Sequence, residues 1–223
     1  MNIKINREES EYLFNLELNR YLFGSRLYKT NKEDSDSDIL IIYKSFHKES
    51  DVFYPNYHQF QYDDIENNKQ YVFTSKEMFY KNLLSCDSTI NSDIVLFNDN
   101  FIDIKDKLNI CRTYKIIKAY LGFSKRDIKM FNKGKNKLFH IQRGLYTAEK
   151  LINNEIPIID DFKNFNNNDL EELSNKEKQL REIINDMFDK DILTLYPKNS
   201  LISGKNSLEI KLIKSNNIKE FKY

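Results

Sequence analysis

The chain has 223 residues, of which 40% are hydrophobic, 13% aromatic and 31% charged. This composition predicts a folded protein with one large domain or two small ones, and it argues against disorder over most of the length. The longest apolar run, residues 39–43, is far too short to span a membrane, and the polar N-terminus does not resemble a signal peptide. The two cysteines, Cys86 and Cys111, lack metal-binding spacing. We therefore expect a reduced, cytoplasmic protein without a membrane partner.

The first predicted element is a helix that begins after Asn6. Asn6 followed three residues later by Glu9 is a variant of the capping box. Leu13 and Leu16 continue at helical spacing, and the pattern predicts that the helix ends near residues 19–20.

Strands are predicted to follow this helix, because β-branched and aromatic residues cluster between turn residues. The expected elements are a short strand at 21–23, a strand at 36–43 buried on both faces, and a hairpin with strands near 57–63 and 70–74. Thr74 and Glu77 predict a capping box for a helix over 75–85.

Beyond residue 100 the pattern predicts helices. The candidates span about 105–121 with an interruption near Gly122, about 137–153, and about 168–190, and the alternating C-terminal tail fits either a strand or a helix. The predicted fold class is α+β, with a mixed sheet and flanking helices in residues 1–105 and a mainly helical domain in residues 106–223.

The net charge of +1 conceals an uneven distribution. Residues 112–150 carry eleven Lys or Arg residues and only two acids, Asp127 and Glu149, which gives this block a charge of +9. Such a block can attract a polyanion such as a nucleic acid or a triphosphate, and a solvated helix face is the alternative interpretation.

The most informative stretch is FGSRLYKTNKEDSDSDILIIY, residues 23–43. Asp36 and Asp38 lie two residues apart at the start of a predicted strand, so their carboxylates point to the same side and repel each other. A hard divalent cation offsets that repulsion. Gly24 allows a ligand to approach the backbone closely, and amide groups together with the Ser25 hydroxyl can cradle phosphate oxygens. An acidic loop that caps a strand is the alternative interpretation.

This stretch resembles the Gly-Ser…Asp-x-Asp signature of the polymerase-β-like nucleotidyltransferase superfamily. More narrowly, it resembles a family of predicted nucleotidyltransferases from bacteria and large phages, with the signature G-S-x-x-Y-G-x-x-x-x-x-S-D-x-D. Three further segments resemble the same family in the same order: FTSKEMFYKNLLSCDSTIN, AYLGFSKRDIK and KLFHIQRGLYTAEKLINNEIP. The resemblance covers roughly residues 20–160.

The resemblance implies a role for each matched residue. Gly24 and Ser25 would hold the β and γ phosphates of an NTP, and Asp36 and Asp38 would be catalytic and bind Mg²⁺ or Mn²⁺. A third carboxylate from the neighbouring strand normally completes such a site. In the helical half, the matched nucleotide-binding positions are Lys125, Arg126, His140 and Arg143. Without the resemblance, Lys125 and Arg126 fit a solvated helix end, and His140 and Arg143 fit a structural pair.

The chain departs from the family pattern at two positions. Lys29 follows Tyr28 where the family has Gly, and Gln70 falls where the family has its third acid. A Gln side chain offers a carbonyl oxygen but cannot act as a general base. Asp63 and Asp64, at the end of the preceding strand, are possible substitutes.

Two functions follow from these observations. The first is metal-dependent transfer of NMP from an NTP to a hydroxyl acceptor, which could be an RNA end, a small molecule or a protein. The second is a catalytically silent relative of the same fold that binds nucleotide or RNA. The basic block favours RNA as the acceptor, and Gln70 favours the silent relative.

Overall fold

The structure is a computed structural model that describes residues 2–33, 35–44, 59–86, 88–98, 101, 104–135, 137–165, 169–195, 212–214 and 217–219. The chain divides into two compact units, residues 1–85 and residues 86–223. The first unit combines a mixed sheet with helices, and the second is mainly helical. This arrangement confirms the predicted α+β fold class.

The first unit contains a sheet of five strands in the order β1-β4-β5-β3-β2. The strands are β1 (Asn2–Lys4), β2 (Glu17–Phe23), β3 (Ser37–Tyr43), β4 (Gln59–Asp64) and β5 (Lys69–Ser75). β3 runs parallel to β5 and antiparallel to β2, while β4 runs antiparallel to β5 and parallel to β1. The buried strand and the hairpin predicted from the sequence are confirmed, but the start of the hairpin near residue 57 lies outside the described residues.

The core of the first unit lies on both sides of β3. Ile39, Ile41 and Tyr43 pack with aromatic residues of β5 and with Leu13 of the helix α1 (Arg7–Asn15). The alternate residues Leu40 and Ile42 are buried as well. This two-sided burial was predicted from the continuous apolar run, and it fixes the register of the strand whose first residues carry the acidic pair.

Both ends of α1 can be compared with the sequence prediction. The predicted capping box is present, because the Asn6 side chain accepts from the Glu9 backbone N–H and the Glu9 carboxylate accepts from the Asn6 N–H. The predicted end near residues 19–20 is wrong, since α1 ends at Asn15 and β2 begins at Glu17. Pairing of β2 with β3 outweighs the helical periodicity, and the irregular register between Glu17 and Asn19 accommodates the change.

Two short helical elements complete the first unit. α2 (Gly24–Leu27) follows β2 directly, and α3 (Lys76–Ser85) follows β5. The Thr74 capping box predicted for α3 is wrong, because Thr74 belongs to β5 and Ser75 Oγ accepts the Met78 N–H instead. The cap therefore lies one residue later than the sequence pattern indicated.

The second unit is built around three long helices, α6 (Tyr114–Phe131), α7 (Leu138–Ile152) and α8 (Leu170–Asp189), which pack against one another. Shorter elements are α4 (Ile90–Phe97), α5 (Ile104–Cys111) and a 3-10 turn at Ile159–Asn164. In the C-terminal tail, β6 (Leu212–Lys214) pairs with β7 (Asn217–Lys219) in antiparallel fashion. The predictions for α7 and α8 are confirmed.

The predicted helix over 105–121 is wrong in its boundaries. The break lies between Cys111 and Tyr114, where the Thr113 side chain accepts the Ile116 N–H and caps α6. α6 then continues through Gly122, because a single glycine costs a helix only about 1 kcal/mol. The buried face of α6, which includes Ile117 and Leu121, supplies the packing that compensates for this cost.

Candidate nucleotidyl-transfer site

The junction between β2 and α2 brings Gly24 against Asp38. Gly24 has a left-handed backbone with a φ of 66°, and a Cβ built on it would overlap the Asp38 Oδ2 and lie 3.2 Å from the Asp38 Cγ. A left-handed conformation strains any residue with a side chain, and the carboxylate leaves no space for one. Glycine is therefore required at this position for two independent reasons.

The two predicted acidic residues lie at the start of β3. Asp38 is half-buried within the strand, and Asp36 is exposed immediately before it. Partial burial, followed by the negative charge of Asp36, raises the pKa of Asp38 above its usual value. The two carboxylates therefore interact, as the spacing predicted, and a bound cation would favour the ionised form of both.

Arg26 holds the segment that carries Asp36, a contact that sequence reasoning missed. Its Nε donates to the backbone oxygen of Asp36 at 3.1 Å, and its Nη2 donates to the backbone oxygen of Ser35 at 2.7 Å. The Gly-Ser turn is thus tied to the acidic segment by a side chain. No pattern of residue types predicts this contact, because the acceptors are backbone carbonyls that every residue carries.

Gln70 is the neighbour of Asp38 in the sheet. The parallel register of β3 and β5 pairs Asp38 with Gln70, and the antiparallel register of β4 and β5 pairs Gln70 with Asp63. Paired residues in adjacent strands share a face of the sheet, so Asp38, Gln70 and Asp63 form one row across it. Gln70 therefore occupies the place on the neighbouring strand that the sequence comparison indicated for a third acid.

Asp63 has its own set of hydrogen-bond donors in this row. It accepts from Gln61 Nε2 at 2.9 Å, from Gln70 Nε2 at 3.2 Å and from Lys4 Nζ at 3.2 Å. The hydrogen bond from Gln61 is the largest cause that lowers the pKa of Asp63 below its usual value. Asp63 is therefore held as a carboxylate by residues of β1, β4 and β5.

The Asp64 side chain is hydrogen-bonded within the hairpin turn. Its side-chain oxygens accept from the Asn67 N–H at 3.3 Å and from Asn67 Nδ2 at 2.9 Å. Since successive strand residues point to opposite faces, Asp64 lies on the other face of β4 from Asp63. Of the two substitutes considered from the sequence, Asp63 is the one on the face of Asp38.

The donor set suits one hard cation better than two. Asp36 and Asp38 supply two carboxylates, and Gln70, which pairs with Asp38 in the sheet, carries no charge. Within the described residues, no group of three or more His, Cys, Asp or Glu side chains is placed to hold a metal ion. Burial and, after it, the charge of Asp36 raise the pKa of Asp38, and a divalent cation bound there would favour its ionised form.

The first departure from the family signature, Lys29, can be understood from its backbone conformation. Its backbone is left-handed, with a φ of 57°. The family has Gly at this position, and glycine adopts this conformation without strain. Lys29 therefore retains the backbone geometry of the turn after Tyr28 at a modest energetic cost.

The second unit places Arg143 in a buried ion pair. Its Nη1 lies 2.8 Å from Asp93 Oδ2, and the side chains of Arg143 and Asp93 are only 12% and 1% exposed. The Tyr120 hydroxyl donates to Asp93 Oδ1 at 2.7 Å. This arrangement joins α7 to α4 and α6, so Arg143 has a structural contact whether or not it also meets a ligand.

The other predicted nucleotide-binding residues of this unit are exposed. Lys125 and Arg126 lie on the surface of α6, and His140 lies on the first turn of α7. Arg126 Nη2 is 2.9 Å from the carboxylate of Asp127, and its guanidinium stacks 4.7 Å from the ring centre of Phe123. His140 keeps a solvent-exposed surface, but neighbouring residues partly desolvate its ring, and this desolvation, followed by the positive charge of Arg143, lowers its pKa.

Comparison with known proteins gives a match to a domain family. Residues 4–108 match a family model described as a nucleotidyltransferase domain. No curated protein and no solved structure matches the chain. In the part of the chain that the structure describes, no helix is both long and apolar enough to cross a membrane. The match over residues 4–108, a segment that includes the Gly24–Asp38 contact, is consistent with the polymerase-β-like nucleotidyltransferase superfamily.

Proposed function

We propose that the protein transfers NMP from an NTP to a hydroxyl group with the help of a divalent metal ion. The observation that carries the proposal is the packing of Gly24 on the Asp38 carboxylate, with Asp36 close enough to raise the Asp38 pKa. Together with the domain family, this contact joins a Gly-Ser phosphate cradle to an acidic pair.

We propose a role for each residue of the Gly-Ser turn and of the acidic segment. Gly24 lets the NTP phosphates approach the backbone, and the Ser25 hydroxyl donates to a phosphate oxygen. Asp36 and Asp38 would hold Mg²⁺ or Mn²⁺, which supplies charge neutralisation at the phosphates. Arg26 keeps the Asp36 segment in place through its two bonds to backbone carbonyls. These residues bind and orient the nucleotide.

Deprotonation of the acceptor hydroxyl is the demanding step for this chain. Gln70 carries no charge and cannot take a proton, and Asp63, the next acid in the row, already accepts three hydrogen bonds. We therefore propose a slow transferase, or one that depends on Mn²⁺. A catalytically silent nucleotide-binding relative is the second candidate, and Gln70 is the observation that favours it.

The acceptor is proposed to be an RNA end, because the block over residues 112–150 carries a charge of +9. Contacts of Lys125, Arg126, His140 and Arg143 with the nucleotide stay predictions from the family resemblance. Lys125 and Arg126 are exposed and suit either a triphosphate or an RNA strand.

The proposal is tested by incubating the protein with each labelled NTP, Mg²⁺ or Mn²⁺, and a mixed RNA pool. We expect label on RNA with the wild type and none with Asp38→Asn. Label on the protein itself would identify a side-chain acceptor. Nucleotide binding without transfer to any acceptor would favour the silent relative, and the absence of metal-dependent nucleotide binding would refute both candidates.

A further inference from the structure

A row of lysines runs along the exposed face of α6 and into the turn that follows it. Three of them recur within the helix at intervals of seven and four residues, so they lie on one side of it, and the fourth follows four residues later in the turn. All of them are exposed: Lys118, Lys125, Lys129 and Lys133. We call this surface the α6 lysine row; at a rise of about 1.5 Å per residue its helical part, from Lys118 to Lys129, extends over about 17 Å.

No carboxylate of α6 shares this face. The single acid of the helix, Asp127, is buried, and it accepts from the neighbouring Arg126. Within the described residues, no ion pair joins Lys125, Lys129 or Lys133 to an acid. Lys118 donates to the Tyr114 hydroxyl at 3.2 Å, a neutral partner that leaves its positive charge uncompensated. The row therefore presents about four positive charges to solvent.

Gly122 lies within the row, and packing inside the protein does not explain why this residue is a glycine. It lies in the interior of α6 between Lys118 and Lys125, and a Cβ built on it meets no atom within 4 Å. Alanine would fit there and would favour the helix by about 0.5–1 kcal/mol. The missing side chain thus has no structural benefit in the described chain, but it does allow an external molecule to approach the helix backbone between two lysines.

We propose that the α6 lysine row binds the phosphodiester backbone of a single-stranded nucleic acid, which lies over Gly122. Four lysines in a line fit a linear polyanion better than a compact triphosphate, because the charges are spread along the helix and do not converge on one point. Phosphate contacts of this kind hold a strand without reading its bases. The inference deepens the proposed function by naming the surface for the acceptor strand, and it rests on that function for the identity of the strand.

The charge contribution is tested with fluorescein-labelled oligo(rU) of twelve nucleotides, titrated at several salt concentrations without NTP or metal. Each phosphate contact contributes about 0.7 to the slope of log K against log salt, so four contacts predict a slope of about −3. The double variant Lys125→Gln, Lys129→Gln should reduce the magnitude of this slope by about 1.4. The control, Lys44→Gln with Lys178→Gln, removes two exposed lysines outside the row and should leave the slope unchanged.

The close approach is tested separately with Gly122→Gln, which changes no charge. We expect a higher melting temperature, because Gln favours the helix, together with at least a several-fold weaker affinity for oligo(rU). Unchanged affinity in this variant would refute the close approach over Gly122.

Three other results would overturn the proposal: an equal loss of slope in the control variant, weakened ATP binding with intact oligo(rU) binding in the row variant, or binding of the row to anionic vesicles but not to oligo(rU). Because the assay contains no NTP or metal, oligo(rU) binding is measured whether or not the protein catalyses transfer. A failure of the transferase proposal can therefore be distinguished from a failure of the α6 lysine row to bind a strand.

Discussion

The Asp38 carboxylate occupies the space that a side chain on residue 24 would need. This contact links the Gly-Ser turn to the acidic pair through direct packing, since a Cβ on Gly24 would overlap Asp38 Oδ2. The glycine and the aspartate are therefore one structural unit, although 14 positions separate them in the sequence.

Gly24→Ala is expected to damage both stability and metal-dependent nucleotide binding. The left-handed backbone alone should cost about 1–2 kcal/mol, and displacement of the Asp38 carboxylate adds to that cost. In an Asp38→Ala background the second part disappears, so Gly24→Ala should cost less there. Denaturant unfolding of the four proteins in this double-mutant cycle measures the difference. Equal costs in both backgrounds would show that the two residues are not coupled.

Arg26→Gln is expected to weaken metal-dependent nucleotide binding while the fold is retained. The guanidinium donates to the backbone oxygens of Ser35 and Asp36, and its loss should release the segment in front of β3 at a cost of about 1–2 kcal/mol. Arg20→Gln, which removes a guanidinium paired with Glu17 on β2, is a suitable control. Calorimetric titration with Mn²⁺ and NTP should separate the two variants; equal affinities would contradict a positioning role for Arg26.

Asp36→Asn is expected to leave the metal-free protein at least as stable as the wild type. The raised pKa of Asp38 means that the folded protein holds this proton more tightly than the unfolded chain does. Asp38 therefore lowers stability progressively as the pH rises through the raised pKa. Removing the Asp36 charge weakens this effect, so the stability gain should appear above the folded-state pKa of Asp38 and vanish in acid.

Thermal unfolding across the acidic and neutral pH range measures this gain, and nucleotide titration with Mg²⁺ should show lost binding in the same variant. A large loss of metal-free stability, with metal binding intact, would instead assign Asp36 a structural role.

The sequence predicted the elements whose signals are local. The capping box at Asn6 and the apolar run of β3 both form as expected, because their determinants lie within a few residues. The helix end near residues 19–20 was wrong because strand pairing with β3, a long-range contact, determines where α1 stops. The predicted interruption near Gly122 is wrong because the helix continues through this glycine, and the break lies instead where the Thr113 side chain caps α6.

The site shows the same division between local and long-range signals. Gly24, Ser25, Asp36 and Asp38 stand out as a motif, and Gln70 stands out because it falls at the third-acid position that the family resemblance implies. The ion pair between Arg143 and Asp93 was not predicted, because it joins residues 50 positions apart on α7 and α4. Contacts of this kind depend on how helices pack, which periodicity does not specify.

Gln70→Asp is expected to accelerate nucleotidyl transfer in Mg²⁺. The register places residue 70 beside Asp38, so a carboxylate there would complete an acidic triad and provide a ligand for a second metal ion. The same change removes a hydrogen-bond donor from Asp63 and adds a like charge, so the metal-free protein should lose stability. Gln70→Asn, which matches Asp in size without the charge, is the control.

Initial rates of label transfer in Mg²⁺ and in Mn²⁺ measure the effect. If the wild type already transfers efficiently and Gln70→Asp changes nothing, another acid serves, and Asp63→Asn and Asp64→Asn should identify it. If both proteins bind nucleotide and neither transfers it, the silent relative is supported.

Arg143→Ala is expected to destabilise the protein by about 3–5 kcal/mol, because it leaves the carboxylate of Asp93 buried without its cation. A fall in NTP affinity in this variant alone would therefore not establish a phosphate contact. The double variant Arg143→Met, Asp93→Leu replaces the pair by apolar side chains and should recover most of the stability. We expect NTP affinity to recover with it, since Asp93 already neutralises the guanidinium. Urea unfolding and NTP titration of the same three proteins check both expectations. If stability returns while NTP affinity stays low, Arg143 contacts the triphosphate in addition to Asp93, as the family resemblance implies.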